Sequence, residues 1–256
     1  MKNFRKTIII CVCIAIYSSI VNAQIIPPGL GKEVNTVSWF ALGLKQDLNK
    51  TVSSTTYIGH SSSSNSSNYN LYDHDALYVV NQEFSHHFIN HWKYSGAFRY
   101  SWQNFYETSN PYRKKESLSR QELRFYGRIY YLTKVNKVDL SFSYRPEYRL
   151  FYFSYFKPYK ESAEFRSRFA GKVSAFINHK KTRKLIFGTE LLFATDKTDK
   201  WSTWEYHDSR FTLYYSMLFP EQKCSFNIGY MNDLIGEKMS NNVHYLAVDL
   251  TFKNLF

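Results

Sequence analysis

The stretch HWKYSGAFRYSWQ, residues 91–103, decides the fold. Trp92, Tyr94, Gly96, Phe98, Tyr100 and Trp102 fall on one face of an extended chain, and Lys93, Ser95, Arg99, Ser101 and Gln103 on the other. A period of two is the signature of a β-strand with one apolar and one polar face. The pattern recurs downstream. Leu123, Phe125, Ile129 and Tyr131 alternate with Arg120, Glu122, Arg124 and Arg128. Val138 to Leu150 alternates with Asp139, Arg145, Glu147 and Arg149, and Phe165, Phe169, Val173 and Ile177 alternate with Glu164, Arg166, Arg168 and Lys172. Phe211 to Phe219 alternates with Asp208, Arg210, Thr212 and Ser216.

A soluble sandwich alternates too, but it turns its apolar face inward and its polar face to water. Its strands usually run about five or six residues. Several runs here are longer than ten, which suits a tilted membrane strand of about 9–11 residues with overhangs. Composition agrees. Aromatics are 19% of the 256 residues, with 22 Tyr and 21 Phe, yet mean hydropathy is −0.44. Strands that face lipid on one side and a polar lumen on the other, with aromatic girdles at both interfaces, produce that combination.

The N-terminus reads as an address. Lys2, Arg5 and Lys6 precede an apolar run at residues 7–20, and Val21-Asn22-Ala23 offers small residues at a cleavage position. This predicts a secretory signal peptide over residues 1–23. The competing reading, a membrane anchor, needs about 20 apolar residues. No Cys follows at position 24, so a lipoprotein is not expected. The segment holds three of the 33 Lys and Arg and none of the 21 Asp and Glu, so cleavage leaves a charge of +9. It also removes Cys11 and Cys13, leaving Cys224 with no partner for an internal disulfide. A basic chain could suit nucleic acid, but export argues against that partner.

Short polar breaks fall at residues 48–50, 85–90, 134–137, 178–183 and 220–223, alternating with longer ones at 61–70, 107–116, 152–160, 195–200 and 236–242. This is the pattern of periplasmic turns and extracellular loops. The breaks define eleven segments, the first at residues 35–48. Single-chain bacterial barrels usually have even counts. The expectation is therefore twelve strands, with residues 24–34 as a poor first one, or ten if a weak early segment drops out. Pro27-Pro28-Gly29 argues against a regular strand there. The expected fold is thus all-β: a signal peptide (1–23), a lead segment (24–34) and one antiparallel transmembrane β-barrel (35–256). The chain ends on Phe256 after the alternating Leu250 and Phe252, resembling the terminal signal by which outer-membrane barrels are recognised for assembly; Asn254 departs from that pattern.

Ser38-Trp39-Phe40, Leu48-Asn49-Lys50 and Gln121-Glu122-Leu123-Arg124 resemble an uncharacterised family of outer-membrane barrels, domain-of-unknown-function family 2490, over residues 35–256. The resemblance implies an outer-membrane barrel and carries no activity, substrate or catalytic residue. The expected partners are the lipid bilayer, lipopolysaccharide and the barrel-assembly machinery.

The candidate site is the charge on three consecutive polar faces: Glu122, Arg124 and Arg128, then Arg145, Glu147 and Arg149, then Glu164, Arg166 and Arg168. Lipid-facing placement would cost ~2–4 kcal/mol for each Arg at midplane, so these faces point inward. Two readings stand. One is a ladder of paired charges filling a narrow lumen. The other is a basic strip that attracts an anionic solute or lipid headgroup. His86, His87 and His91 read as solvated turn residues, and no metal or cofactor is expected. Ser209 beside His207 could suggest a lipid-modifying hydrolase or acyltransferase, but no spacing marks a nucleophile, base and orienter. The favoured function is passive, porin-like passage or binding of small, possibly anionic solutes, or a structural envelope role. The oligomeric state is left open.

Overall fold

The structure, a computed structural model, describes residues 25–30, 34–107, 109–236 and 241–255. Residues 1–23 and Phe256 lie outside the described residues, and so do the expectations placed on them. Eleven strands form one closed barrel. They are β1 (Thr36–Asp47), β2 (Val52–Ser63), β3 (His74–Ile89), β4 (Trp92–Tyr106), β5 (Lys114–Val135), β6 (Val138–Phe153), β7 (Pro158–Phe176), β8 (Arg183–Lys197), β9 (Glu205–Phe219), β10 (Cys224–Ile235) and β11 (Asn241–Lys253). Among the described residues the only helical element is a 3-10 turn at Ser154–Phe156.

Neighbours in sequence pair antiparallel, and β1 closes on β11 in parallel, from Thr36 opposite His244 to Lys45 opposite Lys253. The strand count is therefore eleven, not twelve or ten, and the barrel is mixed rather than wholly antiparallel. The eleven alternating segments are the eleven strands, and the even count usual in single-chain bacterial barrels does not hold here. An odd count puts the start of the first strand and the end of the last at opposite mouths. β1 starts at the long-loop mouth, and β11 ends at the short-turn mouth.

Residues 25–30 are not a strand; they lie inside the barrel. Pro27 and Pro28 have no amide hydrogen to give a ladder, and both are buried. Ile25 is 4% exposed and packs among the inward side chains Trp39, Tyr57, Leu77, Val79, Ile186, Tyr214 and Ala247. Ile26, Leu30 and Val34 pack against a second inward cluster of Val37, Met231, Ile235, Val243 and Tyr245. The lead segment thus climbs the lumen to the rim where β1 begins.

The alternation sorts the faces as the sequence predicts. Outward Phe98, Phe125 and Phe142 are 40, 49 and 54% exposed, while inward Arg124 and Glu147 are 4 and 1% exposed. Large inward rings need room on the next strand. A Cβ on Gly59 would stand 2.2 Å from the Trp39 ring, and one on Gly229 would stand 2.3 Å from Tyr214.

Short turns are made by side chains that mimic backbone. Asn49 Oδ1 accepts from the amides of Thr51 and Val52 at 2.8 Å each. Asn178 Oδ1 accepts from the amides of Thr182 and Arg183 at 2.9 and 3.0 Å. One turn is tighter than expected: β3 continues to Ile89, so His86 and His87 sit at a strand end and only Asn90 and His91 make the turn. At the parallel seam, Asn254 takes the place where an aromatic would be usual. Its Oδ1 accepts from the Asp47 amide at 2.8 Å and its Nδ2 donates to the Asp47 carboxylate at 3.0 Å. Lys253 meets the same carboxylate at 3.3 Å, so the closing strands are fastened at that mouth.

Candidate functional site: the charged lumen

Strand pairing forces like charges together. Arg124 stands opposite both Arg99 and Arg149, and Arg145 stands opposite Arg168. Like charges directly across a ladder destabilise it, so carboxylates must lie between them. Glu122 meets Arg124 at 2.5 Å and Arg149 at 2.7 Å. Glu147 meets Arg145 at 2.6 Å, Arg168 at 3.0 Å and Arg124 at 3.2 Å. Glu164 takes Arg149 at 2.7 Å and also pairs with Arg166. The nine residues singled out from the sequence divide eight to one. Eight form this lattice, and Arg128 stands apart.

Arg128 donates to the Tyr130 hydroxyl. Its guanidinium lies 5.6 Å from the centre of the Tyr126 ring and 5.2 Å from that of Tyr130. Asp139 is also separate, held by Lys184 at 3.1 Å and Lys134 at 3.7 Å near the short-turn mouth.

The lattice continues where the sequence reading stopped. Glu190 on β8 meets Arg168 at 2.5 Å and Arg210 at 3.6 Å, and Arg210 on β9 meets Asp208 at 3.2 Å and Asp233 of β10 at 3.1 Å. Asp208 and Arg210 were already legible on the polar face of their segment. Glu190 and Asp233 sit singly among uncharged inward neighbours, so no local run of charge marked them.

The lead segment meets the upper edge of this lattice. Leu30 donates its amide to Tyr245 Oη at 3.1 Å, and its carbonyl accepts from Gln103 Nε2 at 3.2 Å. A Cβ on Gly29 would stand 2.3 Å from Arg210 Nη2 and 3.2 Å from Asp233 Oδ2, so a larger residue there would push the Arg210 guanidinium aside. The lumen is thus occupied from one side by paired charges and from the other by the chain's own residues 25–30.

The remaining candidates take other places. Leu250 and Phe252 belong to the outward face of β11, opposite Leu42 and Leu44 of β1. Ser209 Oγ accepts from Tyr206 Oη at 2.8 Å, and His207 bonds Asp208 at 3.1 Å, so serine and histidine there do not meet. His60 Nε2 lies 3.3 Å from Ser62 Oγ and 3.4 Å from Asp75. One nitrogen cannot both take a serine proton and be oriented by the acid, because a triad uses the two ring nitrogens separately. His86 Nδ1 bonds Tyr94 Oη at 3.0 Å, and His91 Nδ1 bonds the Leu132 carbonyl at 2.8 Å. Among the described residues, no three His, Cys, Asp or Glu side chains gather as metal ligands would.

Fold and lumen together define a closed eleven-stranded β-barrel, charged inside and apolar outside. Residues 36–244 match the family described as protein of unknown function (DUF2490), and the chain belongs to that family. No curated protein matches it.

Proposed function

We propose that this chain is a β-barrel of the outer membrane of a Gram-negative bacterium, exported by its signal peptide, with a lumen closed at rest. Its role is to hold small anionic solutes, or to serve the envelope structurally, rather than to let solutes flow freely. One observation carries this reading: the barrel is inside out relative to a soluble one. Phe, Leu, Ile, Val, Tyr and Trp cover the outer wall, while buried arginines and carboxylates share the interior with two apolar clusters. Water outside would leave that apolar belt unsatisfied, whereas lipid satisfies it and leaves the charges to pair within. Lipopolysaccharide and the barrel-assembly machinery are the partners this placement brings.

Closure follows from size and content. Eight strands barely clear their own side chains, and open porins use about 16–18. At eleven strands the paired arginines and the lead segment share what space remains. The lipid-modifying alternative lacks a nucleophile, base and orienter at either serine–histidine neighbourhood described above.

The test uses the outer wall. Phe125 is outward, 5.2 Å from Phe98 between ring centres. Phe125→Arg should weaken insertion of the refolded chain into lipid vesicles by ~2–4 kcal/mol. An unchanged insertion equilibrium would mean that this face does not meet lipid.

A further inference from the structure

The two mouths of the barrel differ in charge. The five short turns, at residues 48–51, 90–91, 136–137, 177–182 and 220–223, carry Lys50, Lys137, Lys180, Lys181 and Lys223 against one acid, Glu221. The five longer connections, at residues 64–73, 107–113, 154–157, 198–204 and 236–240, carry four Lys or Arg and four Asp or Glu. The connecting segments of one rim are thus basic, and those of the other are balanced.

Pairing leaves much of that excess standing. At the strand ends of the basic rim, Asp47 meets Lys253, and Asp139 meets both Lys184 and Lys134. Lys223 Nζ donates to the Asn254 carbonyl at 3.1 Å and keeps its charge. Lys50, Lys137, Lys180 and Arg183 are exposed, and among the described residues no carboxylate pairs with them. Those four cations outnumber Glu221, which is exposed on the β9–β10 turn.

The β7–β8 turn presents its cations from a set frame. Asn178 Oδ1 holds the amides of Thr182 and Arg183, and the Asn178 carbonyl accepts from the Lys181 amide at 3.1 Å. Arg183 lies on the outward face, opposite Met217 of β9. Phe219 is two residues on from Met217 and shares its face. A groove of about 400 Å³ runs here, lined by Arg183, Met217, Phe219 and Pro220, with Glu221 also on its wall. It joins apolar side chains of the outer wall to the basic rim. Lys137 stands one hairpin away, about 10 Å along the rim.

We propose that this rim binds the headgroups of anionic phospholipids. The proposal rests on the outer-membrane reading above and adds a lipid class and a place. On that reading the short turns meet the periplasmic leaflet, whose lipids are phospholipids. A glycerophospholipid matches both parts of the groove. Its acyl chain lies against Met217 and Phe219, and its phosphate reaches Arg183 and Lys180. Arginine offers paired donors to phosphate, and lysine offers a point charge. A basic residue beside an anionic bilayer surface gives about a fivefold preference. The balanced rim at the other mouth exerts no such pull.

The test uses the full chain refolded in phosphatidylcholine vesicles, with trace spin-labelled phosphatidylglycerol or phosphatidylcholine and a heat-modifiable band as the folding control. Electron spin resonance reads the fraction of each label held at the protein. The expected result is a severalfold preference for phosphatidylglycerol that fades as salt is raised, because exposed charges are screened. Lys137→Gln, Lys180→Gln and Arg183→Gln together should lower the preference about threefold or more. Lys137→Arg with Lys180→Arg, which keeps each charge, should retain it, as should Lys114→Gln with Lys115→Gln at the other mouth. An inserted wild-type barrel that holds both labels equally overturns the rim site alone. So does a preference that salt leaves unchanged, or one undiminished in the folded triple variant. A wild-type chain that does not enter the vesicles overturns the barrel reading and the site with it.

Discussion

Glu147 is 1% exposed and lies among Arg124, Arg145 and Arg168. Glu122 also meets Arg124 at 2.5 Å, and Glu190 meets Arg168 at 2.5 Å and Arg145 at 3.9 Å, but Glu147 alone touches all three arginines. Glu147→Ala should therefore take one shared carboxylate from three buried guanidinium groups at once. Breaking one side of a buried pair typically costs ~3–5 kcal/mol. The urea midpoint of the heat-modifiable band should fall accordingly, and a midpoint equal to wild type would show that the lattice does not hold the wall together. Arg149 is similarly committed, to Glu122 and Glu164. The basic strip inferred from six arginines is thus mostly neutralised, and Arg128 stands outside the lattice, bonded to Tyr130. That arginine was legible in the sequence, but its separation from the others was not. Register and carboxylates on neighbouring strands decide which arginines are paired, and neither has a local signature.

At the scale of elements, alternation was readable because side chains in a strand repeat every two residues whatever the tertiary context. Breaks were readable because Asn49 and Asn178 carry turn chemistry in their own side chains. The parallel seam was not readable: a strand bears no mark of the direction of its neighbour, and the even-count tendency pulled the other way. The place of residues 25–30 was equally hidden. Pro27-Pro28-Gly29 says what the segment is not, while its position follows from room left by distant residues on β9–β11, β1 and β4. Deleting residues 25–30 should leave the strands in place, since none of these residues belongs to the barrel ladder, and should empty part of the lumen. In planar bilayers the deletion should conduct in discrete steps where the full chain is silent. A deletion as silent as the full chain would show that the Arg–Glu lattice closes the lumen without help.

The molecule as a whole is taller on one side. β5 has 22 residues and β7 has 19, against 12 in β1. At about 3.3 Å per residue, β5 exceeds what an apolar band ~25 Å tall requires even when tilted. On the proposed reading, the surplus length of β5 and β7 overhangs the membrane. The odd strand count, the lumenal lead segment and the fastened seam fit together. A chain whose first strand begins at the far mouth needs a path back, and the lumen supplies it. The central claim is that the apolar outside of this barrel meets lipid. Its most direct measurement is fractionation of cells expressing the full chain, followed by gel electrophoresis of each fraction with and without boiling. A barrel whose outside meets lipid should be recovered in the outer membrane as a band whose mobility shifts on boiling. Recovery as a soluble periplasmic protein would contradict it.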